Sequence, residues 1–94
     1  MPGYRIEREL AEFGEHIRGW RMVLHVTAQQ VCERADISRD TLRKIERGDA
    51  TVGFSAVAQV LRALGQLDTV VSSIDPLATD LGRLRADRLT RQRA

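Results

Sequence analysis

Arginine, lysine and aspartate side chains are concentrated in the segment ISRDTLRKIERG, which covers residues 37–48. In a helix, Leu42 and Ile45 would share one face and leave the charged side chains on the opposite face. The residues on that outer face are Arg39, Asp40, Thr41, Arg43, Lys44 and Arg47. An arginine fork makes paired hydrogen bonds with guanine O6 and N7 or with phosphate, and an aspartate accepts from the cytosine amino group. These residue types at this spacing predict a DNA-binding surface.

Two short helices must position this face. Thr27 and Gln30 form a capping box, which predicts the start of a helix of about two turns. Ser38 is the expected cap of a second short helix, which ends at Gly48. Helices this short do not persist alone, so both must pack on other elements. The pattern indicates a helix-turn-helix unit over residues 27–48, whose second helix fits a major groove about 12 Å wide.

Apolar residues at helical spacing predict a longer helix on each side of this unit. The first runs from about Ile6 to Leu24, with Trp20 expected in the core rather than at a contact with a partner protein. Its apolar stripe consists of Leu10, Phe13, Ile17, Trp20 and Leu24. The second runs from Phe54 to Leu64, with an inner face of Phe54, Val57, Ala58, Leu61 and Leu64. Cys32 is expected to be a small buried apolar side chain between the two short helices.

Composition limits the class of protein. The 94 residues carry 15 basic and 13 acidic side chains, and 43% of the residues are hydrophobic, which favours one globular domain. No apolar run approaches the ~18 residues of a membrane span, and the N-terminal segment is too charged for a secretory signal. One cysteine forms no internal disulfide. We therefore expect a cytoplasmic protein without a membrane partner.

Motifs for catalysis or metal binding are missing from the sequence. It contains no glycine-rich phosphate loop, nucleophile elbow or HExxH motif. His16 and His25 are accompanied by neither a second cysteine nor an acidic ligand set, as a zinc site would require. We expect no enzyme activity, no catalytic residue, no metal and no cofactor.

Three segments, FGEHIRGWR, VTAQQVCERADISRDTLRKIERGD and FSAVAQVLRALG, lie between residues 13 and 65. Together they resemble the Cro/C1-type (XRE-family) helix-turn-helix domain of phage repressors and bacterial regulators. The resemblance implies an all-α, compact five-helix, lambda-repressor-like fold that binds operator DNA as a two-fold dimer. We assign residues 1–74 to this domain and residues 75–94 to an arginine-rich tail that is partly helical or disordered.

The resemblance also implies roles for individual residues. Arg39, Asp40 and Lys44 match base-reading positions, and Arg47 lies near the DNA backbone. The full predicted DNA-binding set is Gln29, Ser38, Arg39, Asp40, Thr41, Arg43, Lys44 and Arg47, with Gln29 as a phosphate contact. Asp40 either accepts from a base or orients Arg39 or Arg43.

The resemblance also implies a structural ion pair, and the sequence departs from the family pattern at two places. Arg21 and Glu46 match an ion pair that joins the first helix to the end of the third. Ala28 stands where family members commonly have a glutamine that contacts phosphate. The loop GDATVG carries Asp49 and no basic residue, whereas this loop is often basic in the family. Fewer phosphate contacts predict modest DNA affinity for the isolated domain.

Two C-terminal features have alternative interpretations. The apolar face of a fifth helix either completes the core or forms a dimer or partner contact that Val60 would join. Its residues are Leu67, Val70, Val71 and Ile74. The tail arginines are a solvated end, bind phosphate or dock into an acidic partner. They are Arg83, Arg85, Arg88, Arg91 and Arg93.

The predicted function is that of a sequence-specific transcriptional repressor that binds double-stranded operator DNA as a homodimer. The tail segment DPLATDLGRLR resembles that of HipB-type antitoxins, which neutralise a HipA-type kinase toxin and autoregulate their toxin–antitoxin operon. A stand-alone XRE-family repressor is the first alternative. The second is a protein-interaction module whose helix-turn-helix no longer binds DNA.

Overall fold

Helices account for all the regular structure in the part of the chain that is described. A computed structural model describes the backbone of residues 2–93 and the side chains of residues 5–89. Its elements are α1 (Pro2–Val23), α2 (Ala28–Ala35), α3 (Arg39–Glu46), α4 (Phe54–Ala63), α5 (Leu67–Ser73), a 3-10 turn η1 (Pro76–Ala78), α6 (Asp80–Leu84) and α7 (Ala86–Arg93). The predicted all-α fold is confirmed. Among the described helices, none has the length and apolar character needed to span a membrane.

Local hydrogen bonds set the limits of α2 and α3. Thr27 Oγ1 accepts from the Gln30 amide at 3.0 Å, and Gln30 Oε1 accepts from the Thr27 amide at 2.9 Å, so the capping box is present. Ser38 Oγ accepts from the Thr41 amide at the start of α3. Gly48 ends α3 with a φ of 75°, a conformation that glycine adopts at little cost. The turn between the helices contains Asp36, also in the left-handed region.

One apolar core joins the first four helices. α2 packs on α4, and α1 packs on α3. The buried side chains are Ile17, Val31, Cys32, Ala35, Leu42, Ile45, Val60, Leu61 and Leu64. Burial of apolar surface in this core is what holds the two short helices in place.

The predicted core position of Trp20 is wrong. Its side chain is 42% exposed, whereas Ile17 on the same helix is buried. Three residues of α-helix rotate the side chain by about 300°, so Trp20 lies about 60° away from Ile17 around α1. The core therefore covers the face of α1 that contains Ile17, and Trp20 lies beside that face.

The inner face of α4 also differs from the prediction. Val60 is fully buried, so it belongs to the core and contributes no dimer or partner contact. Phe54 is 88% exposed at the start of the helix. Val57, Val60, Leu61 and Leu64 form an equally good i, i+3, i+4, i+7 stripe, and α2 packs on that one.

α1 and α3 approach each other with no space for a side chain between them. A Cβ atom placed on Gly14 would lie 2.6 Å from the carbonyl oxygens of both Ile45 and Glu46. Gly48 meets the backbone of α1 at Leu10 in the same way. Glycine at these two positions therefore sets the distance between the helices.

Residues 74–89, which we call the C-terminal arm, extend away from this core. η1 and α6 pack chiefly on each other. The radius of gyration is 16.0 Å, compared with about 12 Å for a compact domain of this length. The tail consists of three short helical segments, η1, α6 and α7, the last of which ends at Arg93.

The close approach at Gly14 predicts opposite effects for two identical substitutions on α1. Gly14→Ala should lower the free energy of unfolding by about 1–3 kcal/mol, because the added methyl group meets backbone atoms that have no room to move. Gly19 has no neighbouring atom within 4 Å. Gly19→Ala should therefore raise stability by about 0.5–1 kcal/mol through helix propensity alone. Urea unfolding followed by circular dichroism measures both, and equal effects would contradict the close approach.

Candidate nucleic-acid interface

The outer face of α3 is open to solvent along the whole helix. Leu42 and Ile45 are buried beneath it. Arg39, Asp40, Arg43 and Arg47 are exposed, and Thr41 and Lys44 are half-buried. The structure therefore brings the predicted α3 residues together on one surface.

Asp40 lies between two of the basic side chains on this face. Its carboxylate is 3.6 Å from Arg43 Nη1 and 3.5 Å from Lys44 Nζ. Exposed pairs of this kind are worth little and exchange readily for other partners. Asp40 can therefore hold both cations above the helix and release them to a phosphate or a base. Pairing with Arg43 is one of the orienting roles that the sequence left open.

Ser38 and Gln29, two further predicted contacts, already have partners. Ser38 Oγ accepts from the Thr41 amide at 3.0 Å and donates to Thr41 Oγ1 at 2.9 Å. Gln29 Nε2 donates to Glu33 Oε1 at 3.0 Å on the exposed side of α2. The Ser38 hydroxyl therefore starts α3, whereas the Gln29 amide gives one of its two N–H groups to Glu33 and can donate the other to a phosphate.

An ion pair attaches the end of α3 to α1. Arg21 Nε donates to Glu46 Oε2 at 2.8 Å, and Arg21 Nη2 donates to Glu46 Oε1 at 3.2 Å. The two side chains are only 15% and 12% exposed, respectively. Hydrogen bonding to Glu46 raises the pKa of Arg21, against a smaller opposing effect of burial. This two-bond geometry fixes the orientation of α3 relative to α1.

The loop after α3 is organised by its acidic residue. Asp49 Oδ1 accepts from Thr51 Oγ1 at 2.6 Å and from the Thr51 amide at 2.8 Å. These hydrogen bonds, with that from the hydroxyl the stronger, lower the pKa of Asp49. The side chain thus closes the loop, in addition to placing a negative charge beside the basic face.

A family model described as a helix-turn-helix domain matches residues 12–73. The chain belongs to this helix-turn-helix family. The match runs from the middle of α1 to the end of α5, and it includes the capped pair α2–α3 described above. Comparisons with curated proteins and with solved structures found no match. In helix-turn-helix domains that bind DNA, the second helix of the pair lies in the major groove, and α3 is the second helix of the pair here.

Cys32 lies inside the helix-turn-helix, where α2 meets the turn. The side chain is buried, and its thiol donates a weak hydrogen bond to the Ser38 carbonyl oxygen at 3.6 Å. Burial is the main cause of a raised pKa for this thiol. The residue is therefore the small buried apolar side chain expected from the sequence.

α5 divides its apolar residues between two environments. Leu67 and Val70 pack against the core of the helix-turn-helix domain. Val71 and Ile74 are exposed, and Ile74 is 81% accessible. The structure therefore separates the four residues that the sequence grouped as one seam.

The tail arginines also fall into separate groups. Arg83 donates to the Leu77 carbonyl oxygen at 3.0 Å and pairs with Asp80, so it stabilises the arm itself. Arg85 and Arg88 are exposed. The predicted contacts at Arg91 and Arg93 lie outside the residues whose side chains are described.

The domain contains an apolar groove that the sequence did not predict. We call it the α1–α4 groove; it has a volume of about 320 Å³. Its apolar lining consists of Leu10, Phe13, Ile45, Ala50, Val52, Phe54 and Val57. Among its described lining residues, Asp49 is the only charged one. The groove could not be predicted from the sequence, because Phe54 fitted the apolar stripe that was expected to form the inner face of α4.

The raised pKa of Cys32 predicts a pH dependence of stability. The unfolded thiol ionises near its ordinary pKa of 9.0, whereas the folded thiol stays protonated to higher pH. Above that pH the unfolded state binds fewer protons, so the free energy of unfolding falls as pH rises. Urea unfolding between pH 7 and pH 10 should show a smaller decrease for Cys32→Ala than for the wild-type chain. Equal decreases in the two proteins would show that ionisation of Cys32 does not contribute to the pH dependence of stability.

Proposed function

We propose that this helix-turn-helix protein is a sequence-specific transcriptional repressor. The observation that carries the proposal is the outer face of α3, which presents four basic side chains, two of them, Arg43 and Lys44, paired with Asp40. The four are Arg39, Arg43, Lys44 and Arg47. α3 is a pre-formed helix with a fixed orientation, so it enters the major groove without an ordering step.

In this proposal the residues of α3 contact different parts of the DNA. Arg39, at the start of the helix, makes the paired contact with guanine, because N-terminal side chains of a recognition helix reach base edges. Lys44 and Asp40 read a neighbouring base pair, and Arg47 at the far end binds phosphate. Gln29 adds a phosphate contact from α2.

The acidic loop and Ala28 limit the affinity of one domain. Ala28 is half-buried beside the core, and its side chain offers no polar group to a phosphate. The negative charge of Asp49, which lies near Lys44 and Arg47, repels the phosphates of the DNA backbone. Each lost phosphate contact lowers both affinity and salt dependence. A homodimer that binds two half-sites about 34 Å apart compensates for this weakness, since the second domain binds at high effective concentration.

The genomic role that we propose is that of a cytoplasmic HipB-like antitoxin. The segment DPLATDLGRLR forms a capped η1–α6 unit that leaves apolar and arginine side chains exposed. Such a unit suits the inhibition of a HipA-like kinase toxin, while α3 represses the shared operon. A stand-alone XRE-family repressor has the same DNA-binding site and lacks the kinase partner.

The competing function is a protein-interaction module whose helix-turn-helix no longer binds DNA. Ala28 and Asp49 favour it, because both reduce attraction to phosphate. Salt dependence distinguishes the two functions. DNA binding weakens steeply between low and physiological salt, whereas docking to a protein through apolar contacts does not.

DNA binding predicts distinct effects for substitutions on α3. With an operator selected from random duplexes, Arg39→Ala should cost about 1–3 kcal/mol and relax the preference at one base pair. Arg47→Ala should weaken binding to all sequences and reduce the salt slope by about 1. Fluorescence anisotropy at several salt concentrations measures both effects. Arg62→Ala, which removes an exposed arginine of α4, is the control without effect; unchanged affinity for Arg39→Ala and Lys44→Ala together would refute the function.

The antitoxin role predicts a specific partner. Purification of the tagged protein from its native host, with nuclease treatment, should recover a kinase encoded by the neighbouring gene. Mass spectrometry identifies it, and co-expression should suppress its autophosphorylation. Operator DNA recovered without any kinase would support the stand-alone repressor.

A further inference from the structure

We propose that Asp40 makes the α3 face discriminate between an operator and other DNA, because its carboxylate weakens binding unless a base donates a hydrogen bond to it. This role rests on the proposed function and deepens it, since it names the residue that lowers the affinity for the wrong sequences. Three observations carry it: the distances from Asp40 to Arg43 and Lys44, the hydrogen-bonding capacity that its carboxylate retains, and the small number of other groups that attract phosphate.

The carboxylate of Asp40 has one cation beside each of its oxygens. Oδ1 lies 3.6 Å from Arg43 Nη1, and Oδ2 lies 3.5 Å from Lys44 Nζ. Residues three and four positions apart are neighbours on a helix surface, so all three side chains share one side of α3. One negative charge therefore lies beside two positive charges, and the group attracts a phosphate as one cation would instead of two.

The same carboxylate retains its capacity to bind a further donor. Charge-assisted hydrogen bonds from guanidinium or ammonium groups are about 2.7–2.9 Å long, so the contacts with Arg43 and Lys44 are loose ion pairs. An ionised carboxylate has about four acceptor sites. The Asp40 side chain is 62% exposed, so a base in the major groove reaches it without displacing any core residue.

The neighbouring acidic residues are already used for structure. Glu46 accepts two hydrogen bonds from Arg21, and Asp49 accepts two from Thr51. Among the described acidic side chains of α3 and of the loop that follows it, only that of Asp40 is held by ion pairs alone. Its carboxylate is therefore the one that a bound base can use.

A carboxylate on this surface affects the two kinds of DNA complex differently. Non-specific binding depends on phosphates, which the charge of Asp40 repels and from which it holds back the neighbouring cations. At an operator, an exocyclic amino group of a base, usually the N4 group of cytosine, donates to the carboxylate. This hydrogen bond offsets the repulsion, and it is missing at other sequences. Asp40 thus raises the ratio of operator affinity to non-specific affinity.

Few other groups of the helix-turn-helix unit attract phosphate, so the cations beside Asp40 supply a large share of non-specific binding. The side chain of Ala28 at the start of α2 is apolar, and the loop over residues 48–53 contains no basic residue. The outer face of α3 presents four basic side chains in all. One carboxylate therefore cancels about a quarter of the positive charge that this face offers to DNA.

Asp40→Asn tests the role, because asparagine keeps the size of the side chain and removes its charge. Fluorescence anisotropy with the full chain measures affinity for an operator selected from random duplexes and for a duplex of scrambled sequence. Affinity for the scrambled duplex should rise about three- to tenfold, and its salt slope should steepen by about 0.9, the contribution of one phosphate. Affinity for the operator should not rise. A scrambled-duplex affinity that is unchanged or lower would overturn the proposal.

Asp36→Asn is the matched control. Asp36 is exposed in the turn between α2 and α3 and has a left-handed backbone conformation, which asparagine also adopts readily. The variant removes the same charge from the same helix-turn-helix unit without changing α3. Its affinity for the scrambled duplex should stay within about twofold of wild type. Equal gains for the two variants would show that net charge, and not the position of Asp40, sets non-specific affinity, and would overturn the proposal.

A double-mutant cycle shows whether the effect passes through a paired cation. Lys44→Gln should lower affinity for the scrambled duplex by less than about twofold in the wild-type chain, where Asp40 holds the ammonium group. In the Asp40→Asn chain the same change should lower it by at least about threefold, because the ammonium group is then free to bind phosphate. Equal effects in the two backgrounds would overturn this part of the mechanism.

The operator measurements distinguish the role of Asp40 from the proposed function. A wild-type chain that binds operator and scrambled duplexes equally well would reject the function itself. A wild-type preference for the operator that Asp40→Asn retains in full would reject the role of Asp40 and leave the function standing. A second selection from random duplexes with Asp40→Asn should show that the preference at one base pair is lost, and circular dichroism verifies that each variant is folded.

Discussion

The contact between α1 and α3 is the constraint on which the rest of the structure depends. At Gly14 the two helix backbones meet with no side chain between them, and Arg21 and Glu46 join the same helices through two hydrogen bonds. α3 has only eight residues and could not hold its own direction. Steric fit sets its distance from α1 and the ion pair sets its orientation, so the basic face points outward.

The core and the helix caps also hold α3 in place. Leu42 and Ile45 bury the inner face, Ser38 begins the helix and Gly48 ends it. Of these groups, Ser38 alone also belongs to the residues predicted to contact DNA. The polar groups on the surface proposed to meet DNA are held only by weak exposed pairs, such as those of Asp40. Rigid support and loosely paired binding groups thus occupy opposite sides of one short helix.

Features specified by local chemistry could be predicted from the sequence, and features specified by packing could not. The capping box at Thr27 and the glycine stop at Gly48 depend on neighbours within a few residues. The inner face of α4 was mistaken because two apolar stripes share that helix, and only its packing on α2 decides between them. The predicted core position of Trp20 was wrong for the same reason, because an apolar stripe on α1 does not show how much of the helix surface the core covers. The groove beside Phe54 involves three elements distant in sequence.

The separation of support from surface has a consequence for evolution. Exposed side chains of α3 can be exchanged without touching the core, the caps or the contact at Gly14. New binding preferences are therefore accessible by single substitutions that leave stability almost unchanged, whereas Gly14 and Glu46 tolerate little variation. Related helix-turn-helix proteins in one cell could diverge in this way to bind different targets while retaining the same scaffold.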